Sequence, residues 1–101
     1  MTHFMIRYQT KPEATQRNTE LIENVFRELA DTAPERVAYA VLRTDDGTFT
    51  HIVSYENESD NDAITDLPAF AAFVDGGEAR RLAPPARDGV TVVGNYRMLA
   101  E

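Results

Sequence analysis

The stretch RVAYAVLRTDDGTFTHIVSYE, residues 36–56, decides the fold of this chain. Two runs rich in β-branched and aromatic residues flank Asp46-Gly47, a dipeptide typical of tight hairpin turns. The pattern predicts two strands, Arg36–Thr44 and Thr48–Glu56. Because this dipeptide readily supplies the positive φ angles of a type I′ turn, the sequence predicts a two-residue loop.

The predicted turn also sets the register of the hairpin. A two-residue loop places Asp45 opposite Thr48. Because side chains alternate between the two faces of a strand, His51 then shares a face with Leu42 and Tyr55. Both faces are apolar: one carries Val37, Tyr39, Val41 and Ile52, and the other carries Ala38, Ala40, Leu42, Phe49, His51, Val53 and Tyr55.

The segments on either side of the hairpin complete a β-α-β-β-α-β order. Thr2–Gln9 alternates like a strand, and Glu13–Ala30 carries apolar residues at helical spacing. After the hairpin, Leu67–Leu82 is predicted to be helical and Val90–Leu99 to be the last strand. This order predicts an α+β, ferredoxin-like fold with a four-stranded antiparallel sheet, in one domain spanning residues 1–101.

Two local patterns refine the predicted helices. Thr10 followed three residues later by Glu13 fits a capping box at the start of the first helix. Gly76 and Gly77 interrupt the second helix, where each glycine costs roughly 1 kcal/mol relative to alanine. Either the helix breaks at this point, or the backbone forms the wall of a pocket.

Apolar residues on both faces of the predicted sheet indicate that both faces are covered. An antiparallel sheet with one solvated face normally alternates between apolar and polar residues. Two helices cover one face of four strands, so a second copy of the chain is the simplest cover for the other. We therefore expect a homodimer through the sheet face, in which two sheets form a dimeric α/β barrel. The alternative is a monomer whose outer face is rich in β-branched residues.

The composition excludes several classes of partner and site. The formal net charge is −7, whereas proteins that bind nucleic acids or anionic membranes usually present basic surfaces. The chain has no cysteine, which excludes disulfides and thiolate metal sites and is typical of cytoplasmic proteins. No apolar run reaches membrane-spanning length. We expect a cytoplasmic protein with no nucleic-acid partner, no membrane partner and no metal ion.

Histidine and tyrosine side chains in the predicted strands are the main candidates for chemistry. His51 has the right chemistry to move a proton or bind a metal, although a core histidine with one satisfied hydrogen bond is the commoner case. Tyr8, Tyr39, Tyr55 and Tyr96 each combine an apolar body with one polar tip. These tyrosines either orient a flat aromatic ligand or fill the core and the interface.

Three arginines, Arg80, Arg81 and Arg87, form a small basic cluster at the end of the second predicted helix. Positive charges suit the C-terminal end of a helix, where the macrodipole is negative. Anion binding is the second interpretation of this cluster.

Four segments resemble the dimeric α/β-barrel superfamily and, within it, the antibiotic biosynthesis monooxygenase-like proteins. They are HFMIRYQTKPE (3–13), AYAVLRTDDGTFTHIVSYE (38–56), LPAFAAFVDGGEARR (67–81) and VTVVGNYRML (90–99). The resemblance covers nearly the whole chain and implies the ferredoxin-like fold and the homodimer. Members of that superfamily include cofactor-free oxygenases that act on polyphenolic substrates, and haem-degrading enzymes.

The resemblance also bears on cofactor and substrate. The enzymes typically use a tryptophan with an asparagine or histidine around the pocket, but this chain has no tryptophan, no asparagine in its first strand and no histidine in its second helix. Haem degradation is therefore not expected, and no cofactor is expected. The resemblance implies a cofactor-independent monooxygenase-like enzyme acting on a small aromatic or polyphenolic molecule. Its candidate catalytic residues are His51 and Tyr55, and its candidate ligand-binding residues are Tyr8, Tyr39 and Tyr96.

Two further functions share this strand order. One is a non-catalytic dimeric module that binds a ligand or a partner, in which the tyrosines fill the core and interface. The other is an amino-acid-sensing regulatory domain, which usually accompanies a catalytic domain. The enzyme hypothesis is distinguished by a closed pocket of roughly 300 Å³ or more with convergent polar groups.

Overall fold

The computed structural model describes residues 1–98 and contains one four-stranded antiparallel sheet in the order β2-β3-β1-β4. The strands are β1 (Thr2–Gln9), β2 (Val37–Arg43), β3 (Thr48–Tyr55) and β4 (Ala86–Val90). The helices are α1 (Thr15–Thr32), α2 (Asp62–Thr65), α3 (Pro68–Val74) and α4 (Gly77–Arg80), with 3₁₀ turns at Pro12–Ala14 and Glu58–Asn61. The predicted α+β, ferredoxin-like fold is confirmed.

Helix α1 packs on the sheet through one apolar stripe. Leu21, Ile22 and Val25 are buried at helical spacing, as the periodicity predicts. The helix ends where Ala33 adopts a left-handed conformation with φ of 46°. Among residues 1–98, no helix combines the length and apolar character needed to cross a membrane.

The start of α1 differs from the predicted capping box. Thr10 lies before the 3₁₀ turn, and its hydroxyl is hydrogen-bonded to the Thr15 hydroxyl at 2.8 Å and to the Gly47 carbonyl at 3.3 Å. The side chain of Thr10 therefore joins the hairpin loop to α1 and does not cap the helix. The spacing of Thr10 and Glu13 fits a capping box, but in the structure the Thr10 hydroxyl is hydrogen-bonded to Thr15 and Gly47.

The hairpin is confirmed, but its predicted loop and register are wrong by one residue. The Thr44 amide donates to the Thr48 carbonyl at 2.9 Å, so the loop comprises the three residues between them. Only Gly47 in this loop has a positive φ, 83°, whereas a type I′ turn needs two such residues. His51 therefore lies opposite Val41, on the face that carries Tyr39. A one-residue slip moves every side chain to the other face of the sheet.

The last strand and the second helix also differ from their predictions. Strand β4 spans Ala86–Val90, so it ends at the residue where the predicted strand Val90–Leu99 begins. Residues 91–98 form no strand, and Leu99 lies outside the described residues. The predicted helix Leu67–Leu82 is split after Val74. Gly76 has a φ of 73°, so the interpretation of the glycine pair as a helix break is confirmed.

The helices cover one face of the sheet and leave the other without a covering element in the described chain. The covered face buries Phe4, Tyr8, Phe49, His51 and Val53 beneath α1, α2 and α3. The opposite face carries Ala38, Ala40 and Leu42, and the Leu42 side chain is 55% exposed. The uncovered face is mixed in character, since the pairs His3–Ser54 and Arg7–Thr50 lie on it beside Met5 and Ile52.

We expect Gly47→Ala to lower the free energy of unfolding by about 1–2 kcal/mol, because a non-glycine residue is strained in the left-handed region. A Cβ at this position would also meet the Thr10 and Thr15 hydroxyls at 3.1 Å. Gly89→Ala in β4 is the matched control, since its Cβ would meet nothing within 4 Å. Urea unfolding of both variants measures the difference, and equal stabilities would contradict this account of the loop.

Candidate functional site

A cavity of about 200 Å³ lies between the covered face of the sheet and helices α2 and α3. Its floor is made by alternate residues of β1, β2 and β3, and aromatic side chains of α3 close it. Apolar groups dominate its wall. The lining residues are Phe4, Ile6, Tyr8, Tyr39, His51, Val53, Asn61, Ile64, Thr65, Phe70, Phe73, Arg81, Pro85 and Arg87.

Three side chains from three adjacent strands form a hydrogen-bonded cluster on this wall. His51 of β3 is 4% exposed and lies between two tyrosines. Its Nε2 is 2.8 Å from the Tyr8 hydroxyl, and its Nδ1 is 2.6 Å from the Tyr39 hydroxyl. The strand order β2-β3-β1 places them side by side, because their side chains all point to the covered face. Both ring nitrogens of the buried histidine are therefore satisfied.

The direction of these hydrogen bonds follows from Arg80, which has only donors. Arg80 Nε donates to Asn18 Oδ1 at 3.0 Å, so the Asn18 amide nitrogen faces the other way and donates to the Tyr8 hydroxyl oxygen at 3.0 Å. Tyr8 then has its own hydroxyl hydrogen left for His51 Nε2. We assign the proton of His51 to Nδ1, which then donates to the Tyr39 oxygen, because this arrangement leaves the unused hydroxyl hydrogen on the half-buried Tyr39 and not on the buried Tyr8.

Tyr39 ends this directed chain with an unused donor. Its oxygen accepts from His51, and within residues 1–98 no acceptor is recorded for its hydroxyl hydrogen. Its ring is held by stacking on Phe26 of α1, with 5.0 Å between ring centroids. The Tyr39 hydroxyl is thus a rigidly placed hydrogen-bond donor on the wall of the cavity.

Burial keeps the cluster neutral at pH 7. It lowers the pKa of His51 to about 4, because the charged imidazolium is disfavoured away from water. Burial also raises the pKa of both Tyr8 and Tyr39 above that of a free tyrosine. The cluster therefore donates and accepts hydrogen bonds but is a poor base.

Positive charge reaches the cavity from the β4 side. The guanidinium carbon of Arg81 lies 6.0 Å from the centroid of the Tyr8 ring, and that of Arg87 lies 4.1 Å from the centroid of the Phe4 ring. Both distances fit cation–π contacts. The predicted basic cluster is therefore divided: Arg81 and Arg87 line the cavity, whereas Arg80 holds Asn18 behind it.

The structure brings together some of the predicted site residues and separates others. His51, Tyr8 and Tyr39 line the cavity. Tyr55 contacts Phe4 edge-on, with ring centroids 5.7 Å apart, but does not line the cavity. Tyr96 follows β4 with its side chain 80% exposed, so the prediction that it lies in a strand is wrong. The catalytic and binding roles of these five residues stay predictions.

Sequence reasoning missed Asn18, although its position carried a signal. It lies three residues before Leu21 and four before Ile22, on the buried face of α1, and it is 1% exposed. A polar residue within an apolar stripe usually has a specific buried partner. The partners of Asn18 come from β1 and α4, which helix periodicity alone does not reveal.

The part of the chain that the structure describes contains no group of three or more histidine, cysteine, aspartate or glutamate side chains arranged to hold a metal ion.

Comparison with known proteins gives consistent similarities. Residues 1–76 match the family model described as antibiotic biosynthesis monooxygenase. A crystal structure described as an antibiotic biosynthesis monooxygenase has a TM-score of 0.74 at 18% identity, covering 93% of this chain and all of the other. Rv0793 from Mycobacterium tuberculosis has a TM-score of 0.73 at 14% identity, covering 93% and 96%. PA3566 from Pseudomonas aeruginosa has a TM-score of 0.72 at 12% identity, covering 92% and 94%. No curated protein matches the sequence.

The buried histidine should make stability depend on pH. The pKa of His51 is about 4 in the folded chain and near 6.5 when unfolded, so between these values the unfolded state binds more protons. Lowering the pH from 7 to 5 should cost about 2 kcal/mol through this group. Urea unfolding of His51→Gln should show a loss smaller than that of the wild type by this amount. Equal losses would contradict the neutral buried histidine.

The directed hydrogen-bond chain predicts the tautomer of His51. Nitrogen-15 NMR at pH 7 should show a protonated Nδ1 and an unprotonated Nε2. Arg80→Met frees the Asn18 amide to rotate and should populate the opposite tautomer, whereas Arg80→Lys retains a donor and should preserve the wild-type signature. A protonated Nε2 in the wild-type protein would contradict the assignment.

Proposed function

Because the chain belongs to the antibiotic biosynthesis monooxygenase family, we propose that it binds a small aromatic phenol in the cavity and oxidises it with O₂, without a cofactor. The observation that carries the proposal is the Tyr8–His51–Tyr39 cluster on the wall of a largely apolar cavity. An apolar wall holds an aromatic ring, and an unused hydroxyl donor orients an oxygen atom of that ring.

The size of the cavity restricts the substrate to about one ring. An apolar cavity of about 150 Å³ holds benzene in another protein. The cavity here, of about 200 Å³, thus suits one substituted ring and is smaller than the roughly 300 Å³ expected of an enzyme pocket from the sequence. The small aromatic molecule of the sequence prediction fits this volume, whereas a polyphenol with several fused rings does not.

The proposed reaction needs no external reductant. A phenol with a free para position reacts with O₂ to give a para-quinone and water, so one oxygen atom enters the ring and the other leaves as water. The ring hydrogen and the hydroxyl hydrogen end in that water, and the substrate supplies all four electrons. The phenolate is the form that donates electrons to O₂, so the task of the protein is to stabilise it and to keep its ring in place.

Each member of the cluster has a role in this proposal. The Tyr39 hydroxyl donates to the substrate oxygen and stabilises the phenolate as it forms. His51 donates to the Tyr39 oxygen from the other side and fixes its direction. Tyr8 and Asn18 hold the histidine tautomer. The guanidinium groups of Arg81 and Arg87 add positive potential, which lowers the pKa of a bound phenol.

Catechol is the substrate with which to test the reaction, by oxygen uptake and by incorporation of labelled O₂ into the product. Tyr39→Phe removes the donor while keeping the ring, and the rate should fall about 100-fold, as for the loss of one oxyanion donor. Tyr55→Phe is the matched control, a half-buried strand tyrosine that does not line the cavity. Its rate should remain within twofold of the wild type.

The same experiment separates the enzyme from the non-catalytic alternative. The low pKa of His51 and its two satisfied nitrogens favour a binding module, because they leave the cavity wall without a strong base. Saturation with catechol, seen as a rise in melting temperature, without oxygen uptake above that of buffer would contradict the enzyme and support the binding module. Equal loss of activity in Tyr39→Phe and Tyr55→Phe would contradict the role of Tyr39.

We also propose that two copies of the chain pair through the uncovered face of the sheet. Ala40 and Leu42 are exposed there, although apolar, and Ile52 and Met5 are half-buried beside them. Exposed apolar patches of this kind usually mark interfaces.

Ala40→Glu should convert the dimer to a monomer, because it introduces a charge in the middle of the proposed interface. Ala30→Glu makes the same change on the exposed side of α1 and should leave the dimer intact. Light scattering after size-exclusion chromatography gives the mass of each species. A wild-type chain that is monomeric at micromolar concentration would contradict the dimer.

A further inference from the structure

Arg81 has a buried donor without a partner. Its Nε is inaccessible to solvent and makes no hydrogen bond within the described residues. Buried polar atoms without partners are uncommon and costly, at about 1–3 kcal/mol and more for charged groups. Arg81 itself lines the cavity, so its guanidinium, which the described residues leave partly unsatisfied, places positive charge on the cavity wall.

The absence of a side chain at Gly77 leaves room for the Arg81 guanidinium. A Cβ at position 77 would lie 2.9 Å from Arg81 Nη1, so only glycine leaves room for the guanidinium in its present position. The glycine pair therefore does more than break the helix: Gly76 turns the chain, and Gly77 accommodates a cavity-lining side chain. A substitution here should move the end of a flexible side chain without opening the core.

The charge of the cavity wall is opposite to that of the whole chain. The chain carries 17 acidic and 10 basic residues, yet the lining residues include Arg81 and Arg87 and no aspartate or glutamate. Neither arginine has an ion-pair partner within residues 1–98. Positive charge without a protein counter-charge, beside an apolar cavity, is the arrangement that an anionic ligand would neutralise.

We propose that the ligand of this cavity is an aromatic carboxylate, whose carboxylate pairs with Arg81 and Arg87 while its ring occupies the apolar cavity. This inference rests on the proposed function, because it specifies the substrate class of the same cavity. A guanidinium matches a carboxylate through two parallel hydrogen bonds, and both Arg81 and Arg87 line the cavity.

The separation of the polar groups fits one ring that carries both a carboxylate and a hydroxyl. Arg87 comes from β4 and Arg81 stacks near Tyr8 of β1, whereas His51 and Tyr39 come from β3 and β2. Arg81, beside Tyr8 of β1, is therefore about two strand spacings from Tyr39, ~10 Å, and Arg87 on β4 is about three, ~14 Å. A ring that carries a carboxylate and a hydroxyl on different carbons can lie between these groups, with its hydroxyl directed to Tyr39. 3-Hydroxybenzoate is the simplest such molecule, because the position para to its hydroxyl is free, as the proposed oxidation requires.

Calorimetric titration with 3-hydroxybenzoate and 3-hydroxybenzamide tests the proposal, because the two molecules have nearly the same shape and differ in charge. The wild-type protein should bind the carboxylate at least about tenfold more tightly. Arg81→Gln should abolish this preference and leave amide binding within twofold. Arg27→Gln, which removes one positive charge from the exposed side of α1, should keep the wild-type preference. Gly77→Ala should weaken the preference if Arg81→Gln does not fold.

The outcomes separate this inference from the function on which it rests. Equal affinity for the two probes, or an unchanged preference in a folded Arg81→Gln variant, would overturn the carboxylate while leaving an aromatic ligand in the cavity. Binding of neither probe at millimolar concentration would overturn both the carboxylate and the small aromatic ligand. If Arg27→Gln removes the preference for the carboxylate as strongly as Arg81→Gln does, the preference comes from the net charge of the protein. That result would overturn the proposed carboxylate site.

Discussion

The site depends on one hydrogen bond, from Arg80 Nε to Asn18 Oδ1. Since arginine can only donate, this bond fixes the orientation of the amide, so that Asn18 donates to Tyr8 and Tyr8 has its own hydrogen to donate to His51. The effect ends at Tyr39, whose hydroxyl hydrogen is the one that the cluster does not use. A residue outside the cavity thus determines which donor the cavity presents.

The same arginine explains why the broken helix is compatible with an ordered site. Its guanidinium also donates to the carbonyls of Phe73 and Asp75 at the end of α3. These carbonyls would otherwise lack partners where the helix stops, because its last turn has no further amides to offer. The break at Gly76 therefore costs little backbone hydrogen bonding, and it turns the following residues towards the cavity.

The electrostatic layout of the cavity is asymmetric across the sheet. At the β2 and β3 side, burial keeps His51 and Tyr39 neutral. These side chains therefore orient a ligand through directed hydrogen bonds and not through charge. At the β4 side, Arg81 and Arg87 bring positive charge against aromatic rings. A neutral donor at one end and a cationic end at the other orient an asymmetric ring in one direction only. The Tyr39 donor of the proposed oxidation and the arginines that bind the proposed carboxylate therefore contact different ends of the same ring.

The order of strands and helices could be predicted from the sequence because periodicity and turn residues are local properties. Register and strand ends could not, since they depend on contacts between distant segments. The loop has one more residue before Gly47 than predicted, and this difference places His51 on the covered face. The apolar residues after Val90 have the pattern of a strand, but in the structure their side chains are exposed. Tyr8, Tyr39 and His51 were found as chemically suitable side chains, whereas Asn18 and Arg80 gained their importance from tertiary partners.

A crystal structure of the protein with bound catechol tests the central claim most directly. This account predicts the ring within the cavity, in contact with Phe73 and Phe4, and one catechol oxygen within hydrogen-bond distance of the Tyr39 hydroxyl. It also predicts that the Tyr8–His51–Tyr39 distances are retained on binding, because both ring nitrogens of His51 already have partners within the protein. Catechol bound outside the cavity, or a cluster that rearranges to place another group against the ring oxygen, would contradict it.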